Sequence, residues 1–139
     1  PADIAAAIGN FNDLIYVCAP TPLQIGAAAG LMQLDDAYFE SLAEKYRKKR
    51  DRLCSTLTEV GLTPCIPEGA YYVLADTSSL PGNNSTERSM HLLHTTGVAT
   101  VPGQSFFTEG DGDAIARFCF AKEDDIIDDA CRRLETLRR

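Results

Sequence analysis

Arg117 stands in the run Ala116-Arg117-Phe118-Cys119-Phe120-Ala121. Period-two alternation puts Ala116, Phe118 and Phe120 on one face of a strand over 115–121, and Ile115, Arg117, Cys119 and Ala121 on the other. The phenylalanines demand burial, so a guanidinium is planted mid-strand among small and apolar neighbours, where an unpaired charge is costly. Its planar fork matches a carboxylate bidentately. The partner is either an Asp or Glu of the protein or the carboxylate of an incoming acid, and strand alternation leaves both open. Gly69 and Gly103 mark two turns, Pro67-Glu68-Gly69-Ala70 and Pro102-Gly103-Gln104-Ser105. Each glycine either lets backbone approach a ligand closely or simply makes its turn.

Other chemistries find less support. His91 and His94 have i,i+3 spacing on a predicted helix, but no third ligand stands near them in sequence, so they read as surface histidines rather than a metal site. There is no phosphate-binding Gly-rich loop and no G-x-S-x-G elbow. Lys45, Lys48 and Lys49 lie on a charged helix face, where they stay solvated and protonated; a nucleophilic lysine needs a desolvated pocket. Lys122 follows the Arg117 strand and is not nominated either. The five cysteines form no C-x-x-C pair, and their number is odd. That argues against a disulfide framework or zinc and for a reducing compartment, so a cytoplasmic location is expected. A net charge of −7 argues against nucleic acid, and the basic run Lys45 to Arg52 is flanked by acids, as a solvated helix face would be. No apolar run reaches membrane-spanning length, and Pro1-Ala2-Asp3 lacks the basic start of a signal peptide.

The elements that must position Arg117 can be read from periodicity. With 139 residues, 45% of them hydrophobic, the chain can bury one domain core. Ile4, Ala7 and Ile8 keep helical spacing without a cap before them, as the tail of a longer helix would. After Ala19-Pro20, Thr21, Pro22 and Gln24 predict a capping box opening a helix to about Leu34 that is apolar almost all round, hence buried. A longer helix from Asp36 carries Phe39, Leu42, Tyr46, Leu53, Leu57 and Val60 on one face, with Gly61 as its stop. Strands are predicted at Tyr71–Ala75, Val98–Val101 and Ile115–Ala121. Ser85 is placed to cap a helix ended by Gly97, and a last helix from about Glu123 carries Ile126, Ile127, Ala130, Cys131, Leu134 and Leu137 inward. Asp128–Arg132 and Asp129–Arg133 have the favourable i,i+4 order. The resulting class is α/β (α+β): a small sheet of about three strands, mixed or antiparallel, covered by helices.

Four runs then line up in series: Val17-Cys18-Ala19-Pro20-Thr21-Pro22-Leu23-Gln24, Gly69-Ala70-Tyr71-Tyr72-Val73-Leu74-Ala75-Asp76, Gly97-Val98-Ala99-Thr100-Val101-Pro102-Gly103, and Ala116-Arg117-Phe118-Cys119-Phe120-Ala121-Lys122. Together they resemble the class I/II aminotransferases of fold type I, the pyridoxal phosphate enzymes that include the aspartate, aromatic, kynurenine and methionine branch. The resemblance implies the C-terminal small domain over 21–139, with 1–20 as the tail end of the large domain or a linker. It implies that Arg117 clamps a substrate α-carboxylate, that the Gly69 and Gly103 turns face the substrate pocket, with Gly69 among the substrate-binding residues, and that Cys18 to Gln24 lies near the interface of a homodimer. Amino acids and 2-oxo acids would be the substrates. The departure is as informative: the S-x-S-K-like run with the Schiff-base lysine is absent, as are the family's pyridine-nitrogen aspartate, stacking ring and most phosphate contacts. This chain alone is therefore not expected to bind pyridoxal phosphate or to transaminate. A β-lyase of the same fold, or a non-catalytic module that binds a carboxylate or a partner protein, are the alternatives.

Overall fold

The computed structural model describes residues 1–108 and 110–138. Contacts divide the chain into two compact units, Pro1–Glu40 and Ser41 onward. The first holds α1 (Ala2–Tyr16), α2 (Thr21–Gln33) and the start of α3 (Asp36–Glu59). The expected burial of α2 is not found: no residue of α1 or α2 is buried, and Met32 is 86% exposed. No described residue covers the apolar surface that its composition predicts should be inside. The capping box does not form either. Pro20 occupies the cap position, and Gln24 instead donates its side-chain amide to the Ala19 carbonyl at 2.6 Å.

The second unit is built on a four-stranded sheet, one strand more than the sequence suggested. Its members are β1 (Thr63–Cys65), β2 (Tyr72–Asp76), β3 (Val101–Pro102) and β4 (Ile115–Cys119), in the order β1-β2-β4-β3, with every neighbouring pair antiparallel. The missed strand β1 has three residues, one of them proline, too few to display alternation. β3 begins later than predicted and includes Pro102, which an edge strand tolerates because it has one unpaired side.

Alternation along β2 and β4 sends Val73, Ala75, Ala116 and Phe118 to one face. There they form a single core with Phe120, with Leu53, Cys54 and Leu57 of α3, Leu92 of α4 (Ser85–Thr96), and Ile127, Cys131 and Leu134 of α5 (Asp124–Leu134). The long stripe of α3 is buried only in its second half; Phe39 and Leu42 remain exposed. These core helices all pack on one face of the sheet, which leaves the Arg117 face free of them. Gly61 and Gly97 adopt the left-handed conformation that ends α3 and α4, with φ of 83° and 75°. Asn84, not Ser85, caps α4: its side chain accepts from the Glu87 N–H at 2.9 Å, while the Glu87 carboxylate accepts from the Asn83 N–H at 2.8 Å. Ser85 is buried, and its hydroxyl accepts from the Gln104 N–H at 3.0 Å, tying α4 to the loop after β3.

Most of the basic run of α3 is paired in place. Arg47 and Lys48 pair with Glu44, Arg50 with Asp51, Lys49 with Asp124 at 3.2 Å and Arg52 with Asp128 at 3.4 Å. Asp128 is thus drawn to α3, and Arg132 turns to Asp129 instead, which Arg133 also binds. No single helix among the described residues is long and apolar enough to cross a membrane.

Cys18, Cys65 and Cys119 are exposed, whereas Cys54 and Cys131 are buried. Burial pushes the Cys54 thiol above its ordinary range, against a smaller opposing pull from Arg50. Because the thiolate is the nucleophile, three cysteines should react quickly with an aromatic disulfide reagent and two only on unfolding. Counting thiols released before and after adding denaturant checks this; rapid release of all five would refute the packing of α3 and α5 on the sheet.

Candidate functional site

In antiparallel pairing, residues opposite each other share a face. Arg117 lies opposite Leu74 on β2 and Val101 on β3, and its face also carries Tyr72, Asp76, Ile115 and Cys119. The inward phenylalanines are buried as predicted, while Arg117 itself is half-buried. Its guanidinium carbon lies 5.2 Å from the centre of the Tyr72 ring and 4.8 Å from that of Phe106. Tyr72 is braced in turn by an edge contact with Tyr71, centroids 5.4 Å apart.

The polar edge of the guanidinium is not matched. Arg117 Nε is buried without a hydrogen-bond partner, and no ion pair among the described residues includes this arginine. Among the described residues, an internal carboxylate, one of the two partners the sequence left open, is therefore not found. Asp76, on the same face, is engaged elsewhere: hydrogen bonds from Ser78 hold its carboxyl below the ordinary carboxylate range, with a smaller contribution from Arg88. A buried guanidinium N–H without an acceptor costs about 1–3 kcal/mol, which a planar anion arriving in the plane of the fork would relieve.

Phe106 reaches Arg117 from a loop that the chain closes tightly. The turn Gly103–Ser105 receives the Phe106 and Phe107 N–H groups on the Gly103 carbonyl, at 2.8 and 3.1 Å. Gly103 is buried against the backbone of Gly112; a Cβ there would fall 2.3 Å from the Gly112 carbonyl oxygen. What approaches Gly103 closely is thus the protein's own chain. Around Gly69 the situation is reversed. That residue is exposed, nothing lies within 4 Å of where its Cβ would be, and the left-handed residue of its turn is Ala70, at φ 63°.

Sequence reasoning passed over Tyr72 and Phe106 as site members. Tyr72 shares the parity of Leu74, but only the register with β4 brings it beside Arg117. Phe106 was signalled by a large aromatic in a loop otherwise rich in Gly and Asp.

The remaining candidates stay apart from this face. His91 is half-buried and His94 exposed, and no group of three metal-ligating side chains occurs among the described residues. His91 lines an open hollow of about 700 Å³ with Glu59, Leu80, Leu137 and Arg138, none of which belongs to β4 or the Phe106 loop. Lys45, Lys48 and Lys122 are exposed, and Lys49 is paired with Asp124 and donates to the Lys122 carbonyl. None sits in a desolvated pocket. The described residues therefore do not fit the attachment of pyridoxal phosphate; the chemistry they can supply is the grip on an acid.

The profile of the family "aminotransferase class I and II" matches residues 1–134. The chain is 32% identical to the kynurenine–oxoglutarate transaminase of Dictyostelium discoideum, covering 100% of this chain and 37% of that protein. It is 31% identical to the methionine aminotransferase of Escherichia coli, over 99% of this chain and 35% of that one. Among solved structures, the N-succinyldiaminopimelate aminotransferase of Mycobacterium tuberculosis superposes with a TM-score of 0.79 at 33% identity, covering 99% of this chain and 36% of the other. The chain thus spans little more than a third of the length of the curated relatives it matches.

Proposed function

Because the chain belongs to the aminotransferase class I and II family, we propose that it is part of a pyridoxal-phosphate-dependent enzyme that moves an amino group between an amino acid and a 2-oxo acid. Arg117 is its grip on the α-carboxylate. The observation that carries this reading is the unmatched guanidinium: a half-buried fork beside two rings on the sheet face opposite the core, with a buried Nε that no described protein group accepts from. Donor and acceptor differ at the carbon that carries nitrogen or oxygen but share the adjacent carboxylate. One fork that recognises only that group serves both halves of the exchange. Gly69, open on its outer side, joins the same pocket as a point where backbone and substrate approach.

The reading takes residues 1–20 as the tail of a large domain or linker and 21–139 as the small domain. The cofactor, its attaching lysine and the groups that tune it would be supplied by residues outside this sequence. A cytoplasmic homodimer, with Cys18 to Gln24 near the subunit interface, completes it.

The test is product analysis on the full-length protein, supplied with pyridoxal phosphate, a panel of amino acids and a 2-oxo acid. Equal amounts of a new amino acid and a new 2-oxo acid are expected. Release of ammonia without a new amino acid would assign an elimination instead, and absence of turnover across the panel would leave a carboxylate-binding module.

A further inference from the structure

An arginine side chain has several rotatable bonds, and a bidentate grip works only if the plane of the fork is fixed. In most proteins an acid on one edge fixes it. Here no described acid does, so the fixing must come from the faces. Two rings lie within cation–ring reach, their centres 5.2 and 4.8 Å from the guanidinium carbon. Tyr72 projects from β2, one strand over, and is held by the ladder with Cys119 opposite and by Tyr71. Phe106 projects from the loop whose neck is the Gly103–Gly112 backbone contact. Aromatic faces attract the cation yet accept no in-plane N–H bond, so the donor edge stays available.

We infer that Tyr72 and Phe106 are positioning residues, holding the Arg117 guanidinium in a fixed plane from two rings so that its donor edge meets a carboxylate ready-oriented. This rests on the reading of Arg117 as the carboxylate grip. Its distinctive content is that ring character at 72 and 106 sets affinity for the carboxylate common to both substrates, whatever their side chains. An acidic brace would compete with the substrate for the same N–H groups; rings do not.

The test uses steady-state kinetics of the full-length enzyme carrying Phe106→Leu, Phe106→Tyr, Tyr72→Leu or Tyr72→Phe. Phe106 is 50% exposed on a loop, so its replacement leaves the core intact. Loss of one cation–ring contact should raise KM about tenfold for amino acid and 2-oxo acid alike, with kcat falling less than KM rises. The aromatic variants Phe106→Tyr and Tyr72→Phe should restore KM, which a role in apolar packing alone would not require, since leucine also packs. An unchanged KM in both leucine variants, with a large loss in Arg117→Ala, overturns the inference and leaves the grip standing. An unchanged KM in Arg117→Ala overturns the grip, and the inference with it.

Discussion

Arg117→Ala is expected to lower kcat/KM of the full-length enzyme by a factor of about 30 to 4000 for amino acid and 2-oxo acid alike, without lowering the protein's melting temperature. The size follows from truncating one partner of a desolvated, hydrogen-bonded charge pair, which costs about 2–5 kcal/mol, at about 1.4 kcal/mol per decade. Arg117→Lys keeps the charge but loses the fork, and should fall between the wild type and alanine. The stability half of the prediction separates a ligand's arginine from a structural one. Removing one member of an internal buried ion pair orphans the other and destabilises by about 3–5 kcal/mol. Among the described residues there is no second member to orphan: the guanidinium already carries a buried Nε without an acceptor. Alanine forfeits the contacts with Tyr72 and Phe106 but also removes that unmet donor, two changes of opposite sign and similar size. A melting temperature that dropped by ten degrees or so, with kcat/KM intact, would make Arg117 a structural residue and end the proposal.

Arg117 was legible in the sequence because alternation over a five-residue strand is a strong constraint. With Phe118 and Phe120 inward, Arg117 had to face outward, and it does. The same parity rule could not say what lies on the outward face, since that depends on register and on the number of helix layers. Neither leaves a trace within one strand. The helices pack on one side only, and the ring neighbours arrive from Tyr72 across the ladder and from Phe106 at the end of a turn. Helix ends were half legible. Gly61 and Gly97 stop their helices because few other residues adopt a left-handed φ cheaply. The starts went elsewhere: at α4 two adjacent capping residue types competed, Asn84 took the cap, and Ser85 went to the Gln104 N–H. Likewise Asp128 was available to Arg132 by spacing, but Arg52 on a packed neighbouring helix won it. Local pattern lists the possible partners; tertiary packing chooses among them.

The two turn glycines show the same division, and they predict opposite outcomes for one substitution. In sequence Gly69 and Gly103 are alike, each within two residues of a proline at the edge of a strand. In the fold, a Cβ on Gly103 would lie 2.3 Å from the Gly112 carbonyl oxygen, 2.8 Å from that of Ile115 and 3.0 Å from the Ile115 Cβ. A Cβ on Gly112 would meet the Gly103 carbonyl carbon at 2.6 Å. These are backbone atoms and a branched side-chain root, so no rotamer change makes room. Gly103→Ala must therefore push the two crossing segments apart. That strains the Gln104 N–H bond to Ser85, the Phe106 N–H bond to Gly103 and the Arg88 bond to the Asp113 carbonyl. The expected loss is about 2–4 kcal/mol, only partly offset by the stiffer unfolded chain that alanine brings. It should appear as a lower urea midpoint at unchanged slope. Phe106 leaves its place over Arg117 when the neck opens, so KM should rise in the same variant. Gly69→Ala meets nothing within 4 Å, and its stability should stay within about 0.5 kcal/mol of wild type. Any effect there must come through KM, as an added methyl obstructs an approaching substrate. Equal urea midpoints for the two alanine variants would mean that the Gly103–Gly112 crossing does not hold the loop, and that Phe106 reaches the guanidinium by some other restraint.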